Sequence, residues 1–331
     1  MIVKAHAYPR AALIGNPSDG YFGKTIAFTF SNYQADVTIY DTEQLEILPA
    51  RRDHSRFASL RALADDVRSY GYYGGIRIIK AALKRFHDYC TEHALELHDR
   101  NFSVRYHSSI PPHLGLAGSS AIITACMRAL QAFYGVEIPK PRLANLVLSV
   151  ETDELSIGAG LQDRVAQVYG GIVHMDFDRA HMDEHGYGVY TPLTPDKFPN
   201  LYVGFNPTFA EGTEIVHNDL RYRWENGDRA VHEAMKGFAE LTDRFRSALE
   251  REEYREVDEI INANFDLRSS IMNLNPNHVR MVETARSVGA SAKYTGSGGA
   301  IIGAYADDEM FARLQEALGA LGAQVIRPEI S

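Results

Sequence analysis

The chain has 331 residues, 45% of them hydrophobic and 23% charged, a length that suits two domains sharing an interface and a composition ordinary for a globular protein. With 43 acidic against 34 basic side chains the net charge is −9, which argues against nucleic acid or an anionic membrane as the main partner. The opening MIVKAHAYPR lacks the apolar stretch of a signal peptide, no apolar run approaches the roughly 18 residues of a membrane span, and Cys90 and Cys126 show no metal-ligand spacing; the expectation is a cytoplasmic enzyme with two buried thiols.

Residues 2–7 read as a strand. The chain then crosses a turn cluster, Gly15–Asn–Pro–Ser–Asp–Gly20, which is either a plain loop or a place to present Asp19 to a ligand, with Arg10 just upstream. Two β-rich runs, IAFTF and VTIY, predict strands within 25–49, and 51–72 is polar and irregular. A helix is expected from about Gly75 to His93, with Ile76, Ile79, Leu83 and Phe86 on one side, and a strand over 101–107.

That strand leads into PPHLGLAGSSAIITACMRALQAF, residues 111–133. Two prolines hold the approach extended, Gly115, Gly118, Ser119 and Ser120 make a small flexible loop, and Ile122, Cys126, Ala129, Leu130 and Phe133 recur at helical spacing until Gly135 stops the pattern. Glycine lets backbone approach an anion closely, and the first N–H groups of a helix have no internal partner, so a strand–loop–helix unit of this kind suits a phosphate; a small-residue turn with a serine N-cap is the alternative. No lysine follows the second glycine, so the stretch is not a P-loop.

Residues 141–155 predict a further helix with Leu143, Val147 and Val150 buried. Glu151 falls near the same face, either reaching the helix edge or entering a site. After Gly158 and Gly160, Asp163 starts a short helix that ends at Gly170–Gly171, as an N-cap or as a presented carboxylate, and a strand follows at 171–177. The segment 178–200 reads as a domain junction, dividing the chain into 1–190 and 191–331. The four histidines between 174 and 217 have no ligand spacing and are read as surface residues. Beyond the junction the pattern predicts strand 201–206, long helices over 228–263 and 276–288, a second glycine loop at Lys293–Gly299, strand 300–305, helix 307–319 and strand 323–327, an α+β arrangement.

Three separated segments, Ala7–Asp19, Pro111–Ala121 and Lys293–Gly299, resemble in this order the motifs of the GHMP kinases, and Gly160–Leu–Gln–Asp163 looks like that family's catalytic aspartate loop. The resemblance covers nearly the whole chain. It implies an α+β, two-domain GHMP kinase fold, with a ribosomal-protein-S5-like N-terminal domain and a ferredoxin-like C-terminal domain, and an ATP-dependent kinase. On this resemblance, Pro112, Gly115, Leu116, Ala117, Gly118, Ser119, Ser120 and Ala121 would wrap the ATP phosphates. Ser120 and Glu151 would hold Mg2+. Asp163 would act on the acceptor hydroxyl, with Arg10 stabilising charge beside it. Asp19, Tyr21, Lys24, Arg164, Gly296, Gly298 and Gly299 would shape the substrate pocket.

Within the family, the segments around Asp19 and Asp163 look most like those of glucuronokinases, which implies phosphorylation of D-glucuronate at its anomeric hydroxyl. Lys24 and Arg164 are the basic residues nearest the expected sugar site and the candidates to face its carboxylate. Galactokinases carry Glu-His-Thr-Asp where this chain has Asn16–Pro17–Ser18–Asp19, which argues against galactose. Another anomeric sugar or sugar-phosphate kinase, a mevalonate or homoserine kinase, and a non-catalytic sugar sensor are the alternative readings.

Overall fold

The computed structural model describes residues 1–50, 53, 58–61, 63, 74–194, 198–209 and 214–331; most of the segment expected to be irregular, 51–72, lies outside them. The first half runs β1 (Ile2–Ala7), β2 (Arg10–Ile14), a 3-10 turn at Ser18–Tyr21, β3 (Lys24–Thr29), β4 (Ala35–Thr42) and β5 (Glu46–Leu48), then α1 (Gly75–Glu92), β6 (Asn101–Ser108), α2 (Gly118–Tyr134) and α3 (Lys140–Ser149). A π turn at Val150–Glu154 leads to α4 (Leu161–Tyr169), β7 (Ile172–Asp176), α5 (Arg179–His185) and β8 (Val189–Leu193). The second half holds β9 (Leu201–Phe205), α6 (Glu214–Glu225), α7 (Arg229–Glu250), α8 (Tyr254–Ile271), α9 (Pro276–Ser287), β10 (Lys293–Tyr294), β11 (Ala300–Ala304), α10 (Asp308–Gly319) and β12 (Gln324–Ile326).

Among the described residues the strands form three four-stranded sheets ordered β1-β4-β6-β5, β2-β3-β7-β8 and β10-β11-β9-β12. Within these sheets every strand pair is antiparallel except β5 on β6. In β4, Ala35, Val37 and Ile39 alternate inward and share a core with Ile123, Met127 and Leu130 of α2, whereas β2 is buried at every residue. α2 ends where Gly135 adopts φ +69° and returns its N–H to the Gln131 carbonyl, the left-handed termination that glycine permits.

Several elements depart from the sequence pattern. The junction segment 178–200 contains α5 and β8, and β8 completes the second sheet as an edge strand, where Pro192 removes no needed ladder bond. The expected boundary after residue 190 falls inside β8, and we propose that the division lies after Leu193. The helical pattern over 228–263 is two helices, separated where Glu252 takes φ +57°. β2, β5 and α6 lie outside the elements that the sequence pattern predicts. The helix expected over 141–155 is α-helical only to Ser149 before widening into the π turn that carries Glu151. His174 is buried in β7, 5% exposed, rather than on the surface. Cys90 and Cys126 are buried free thiols. Among the described residues no helix is long and apolar enough to cross a membrane.

Asp178, Asp228, Asn275 and Asp307 cap α5, α7, α9 and α10 with their side chains. Among the helices whose N-cap residue makes no side-chain cap, α1, α3 and α8 included, α2 begins on Ala117 and α4 on Gly160. Those two N-termini border the site described next.

Candidate active site

Arg10 opens β2 and is 5% exposed. Its Nε donates to Asp163 Oδ1 at 2.6 Å, and its Nη1 to the carbonyls of Gly115 at 2.8 Å and Thr295 at 2.7 Å. The strand backbone adds to the join: Arg10 N donates to the Leu116 carbonyl and Ala12 N to that of Thr295. One guanidinium thereby fastens the first glycine loop, the second glycine loop and the aspartate of α4 to a single point. A Cβ at Gly296 would lie 2.6 Å from the Gly115 oxygen and 3.1 Å from Arg10 Nη1, so this closure requires glycine there.

Asp163 is the third residue of α4, not its N-cap, and it stands between two arginines. Arg164 Nη1 lies 3.3 Å from its second oxygen and also donates to the Gly160 carbonyl. Burial works against the Asp163 charge, but Arg10 and Arg164 outweigh it and hold the carboxyl below the ordinary aspartate range. Arg164 is itself buried, and pairs through Nε at 2.9 Å and through Nη2 with Glu151 Oε2. Glu151 Oε1 accepts from Ser119 Oγ at 2.7 Å. The polar groups thus alternate in one chain: Ser119, Glu151, Arg164, Asp163, Arg10.

Ser119, not Ser120, is the hydroxyl that meets Glu151. Ser120 is fully buried and donates to the Ala117 carbonyl at 3.1 Å. Neighbouring residues on a helix point in different directions, and the loop turns Ser120 inward. The loop itself is tightly made: Ala117 sits at φ +60°, Gly115 at φ +63°, Leu116 and Ala121 are buried, Pro112 is half-buried, and Gln167 Nε2 holds the Ala117 carbonyl at 2.8 Å. The N–H groups of Gly118, Ser119 and Ser120 have no protein acceptor among the described residues, as a helix N-terminus that takes an anion requires.

Asp19 meets the start of α4 from the other side. Its Oδ2 lies 3.4 Å from Gln162 N, supplying in part the cap that Gly160 lacks. A Cβ on Gly160 would lie 2.3 Å from that same oxygen, so the absence of a side chain at 160 is what admits Asp19. Burial, and then the charge of Asp163, lift the Asp19 carboxyl to about 6. Two neighbouring carboxylates are therefore driven apart, one held ionised and one able to take a proton near neutrality. Tyr21, on the same 3-10 turn, is buried against Trp224 with ring centroids 5.2 Å apart.

Two expected substrate cations are already engaged. Lys24 begins β3 and lies 2.9 Å from Asp243 and 3.4 Å from Asp176, and Arg164 is consumed by Glu151 and Asp163. Gly298 and Gly299 adopt φ +153° and +78° and pack against His278 and Leu114. Residues that sequence reasoning missed support the loops from α8. Asn264 accepts from Gly15 N at 2.7 Å and donates to the Asn16 carbonyl, and the buried Arg268 donates to the Gly296 carbonyl at 2.8 Å. Both lie on the apolar stripe Val257, Ile261, Phe265, Ile271, where a polar residue at a core position is the signal that could have found them. Gln167, four residues after Asp163, shares its helix face and was findable in the same way.

Comparison with known proteins agrees with this geometry. Residues 77–171 match the GHMP kinases N terminal domain and residues 245–324 the GHMP kinases C terminal domain. The chain is 42% identical to glucuronokinase 1 of Arabidopsis thaliana over 306 residues, 91% of this chain and 84% of that protein. The chain belongs to the GHMP kinases. As a member of that family it shares its fold with a Lin0012 protein from Listeria innocua, at TM-score 0.81 and 13% identity over 100% of this chain and 98% of the other. It also shares it with Lactococcus lactis galactokinase complexed with galactose, at TM-score 0.75 and 14% identity over 99% and 93%.

The Gly160 contact makes a direct prediction. Gly160→Ala is expected to expel the Asp19 carboxylate and destabilise the protein by about 1–3 kcal/mol, the usual cost of overpacking. Urea denaturation should show a much smaller loss when the same change is made in an Asp19→Gly background. An equal loss in both backgrounds would place the strain elsewhere.

Proposed function

We propose that this chain is a cytoplasmic, ATP- and Mg2+-dependent kinase that phosphorylates D-glucuronate at its anomeric hydroxyl, giving glucuronate 1-phosphate. The reaction class is supported by the continuous run of contacts from Ser119 to Arg10, which sets an ionised aspartate beside an uncapped helix N-terminus. The substrate is supported by 42% identity over 91% of the chain to a protein named for acting on glucuronate.

In this reading the N–H groups of Gly118–Ser120 hold the ATP phosphates. The anomeric hydroxyl sits between Asp163 and Asp19 and donates to Asp163. Held below its usual range, Asp163 is a weak base. It orients the hydroxyl and receives its proton late, as the sugar oxygen bonds to the γ-phosphorus and the bond to the β,γ-bridging oxygen breaks. A largely dissociative phosphoryl transfer asks for little more than such positioning and charge compensation, and Arg10 supplies part of the latter. Ser119 and Glu151 are the oxygen donors that fit magnesium, a cation that keeps several waters and takes few protein ligands. When bound, the ion neutralises charge on the phosphates. Asp19, once ionised, accepts from further sugar hydroxyls.

Two measurements test these assignments. Ser119→Ala is expected to raise the magnesium concentration for half-maximal activity by about tenfold, and Ser120→Ala by much less; the reverse order would return the metal role to Ser120. In a coupled ADP-release assay with ATP and magnesium, D-glucuronate is expected to exceed D-glucose and D-galactose in kcat/KM by about tenfold or more, because a neutral sugar forfeits the charge-assisted contact its carboxylate would make. Faster turnover of a neutral sugar or a heptose phosphate would overturn the substrate and leave the kinase.

A further inference from the structure

A uronic acid brings a carboxylate that needs a counter-charge, and most of the cations around the site are already committed. Arg10 is satisfied by Asp163 and two carbonyls. Arg164 is held by Glu151 and Asp163, and Lys24 by Asp243 and Asp176. Arg268 and Lys293 are 2% and 1% exposed, and each donates to backbone carbonyls beneath the second glycine loop. A ligand carboxylate cannot displace such buried contacts cheaply.

Arg221 differs from all of these. It lies in α6 and is exposed, and among the described residues no carboxylate comes within 4.0 Å of its guanidinium. Its helix neighbour Arg223, by contrast, is paired with Asp228 and Asp219. Arg221 sits one turn before Trp224, so the two share a face of α6, and Trp224 packs on Tyr21, two residues after Asp19. Leu220 joins Tyr21 in the same small apolar cluster, which fixes this turn of α6 over the 3-10 turn that carries Asp19. Burial pushes the Tyr21 hydroxyl up, and the charge of Arg221 acts against that shift while those of Asp19 and Glu225 add to it. Among the described residues, Arg221 is thus a cation without a carboxylate partner on the turn of α6 that packs over Tyr21, two residues from Asp19.

We infer that Arg221 is the residue that selects an acid sugar, its guanidinium pairing with the substrate carboxylate while Tyr21 and Trp224 hold its helix over Asp19. This rests on the glucuronate reading above and adds the residue that produces the preference. A planar guanidinium suits a carboxylate because two parallel N–H donors meet two oxygens. The position is solvated, so the attraction acts at long range and is screened by salt.

The test compares wild type, Arg221→Gln and Arg221→Lys, each first shown to melt within about 2 °C of the others, as is usual for an exposed surface change. kcat/KM is measured for D-glucuronate and D-glucose at low and high sodium chloride. Arg221→Gln is expected to lower the glucuronate-to-glucose ratio at least about tenfold, chiefly through KM for glucuronate, and to abolish the rise of that KM with salt; Arg221→Lys should recover part of both. A merely structural residue would depress both sugars together and leave the salt dependence in place. A ratio that survives Arg221→Gln in an enzyme that prefers glucuronate would overturn the role of Arg221 alone. A wild type that prefers glucose would overturn the glucuronate reading, and this role with it.

Discussion

Everything in this site is hung on the guanidinium of Arg10. A cation buried at the start of a central strand is costly unless its charge is paired and its donors are used, and here Asp163 supplies the charge while the carbonyls of Gly115 and Thr295 supply the remaining acceptors. The requirement acts in both directions. Arg10 needs all three partners, which are 105, 153 and 285 residues away in sequence, and each partner's segment is drawn to the same point by satisfying it. Removing one member of such a buried pair leaves an uncompensated charge, a loss of about 3–5 kcal/mol. Fold and chemistry therefore share one set of contacts.

The alternation of charge from Glu151 to Arg10 explains why two adjacent carboxylates behave differently. Asp163 lies between two arginines and stays ionised. Asp19, close by, has a long contact to a helix N–H and, among the described residues, no cation within 4.0 Å, so burial and the charge of Asp163 push it up to about 6. The same region leaves two helix N-termini without side-chain caps. At α4 the deficit is met in part by Asp19, which fits because residue 160 has no side chain. At α2 the free N–H groups of the loop face the space where phosphate belongs in the proposed reaction. Glycine at 160 and 296 thus serves close approach rather than unusual backbone angles, while Gly115 serves a positive φ.

How much of this could be read from the residues depended on how local the cause was. The helix from Gly118 to Tyr134 and its stop at Gly135 follow from glycine placement and a 3.6-residue apolar period, and they stand as expected. β8 was hidden because Val189–Leu193 carries a proline and lies among turn-forming residues, which an edge strand tolerates. The choice between Ser119 and Ser120 depends on the rotational phase with which the loop enters α2, and composition does not contain that phase. Lys24 looked free because its partner Asp243 lies 219 residues away. Asn264 and Arg268 were legible in principle, as polar residues on an apolar helix stripe, but their targets in two separate glycine loops were not. The convergence of Asp163, Glu151 and the loops came from the family resemblance, since no spacing along the chain encodes contacts across 105 to 285 residues.

The claim that Arg10 and Asp163 act as one unit is tested most directly by a double-mutant cycle in kcat, using Arg10→Gln, Asp163→Asn and the pair together. If each residue works only through the other, the double variant should be no more than about threefold slower than the slower single variant, because residues that act as a unit are strongly non-additive. Losses that multiply, giving a double variant slowed by the product of the two single effects, would show that the two side chains contribute independently and would contradict the account.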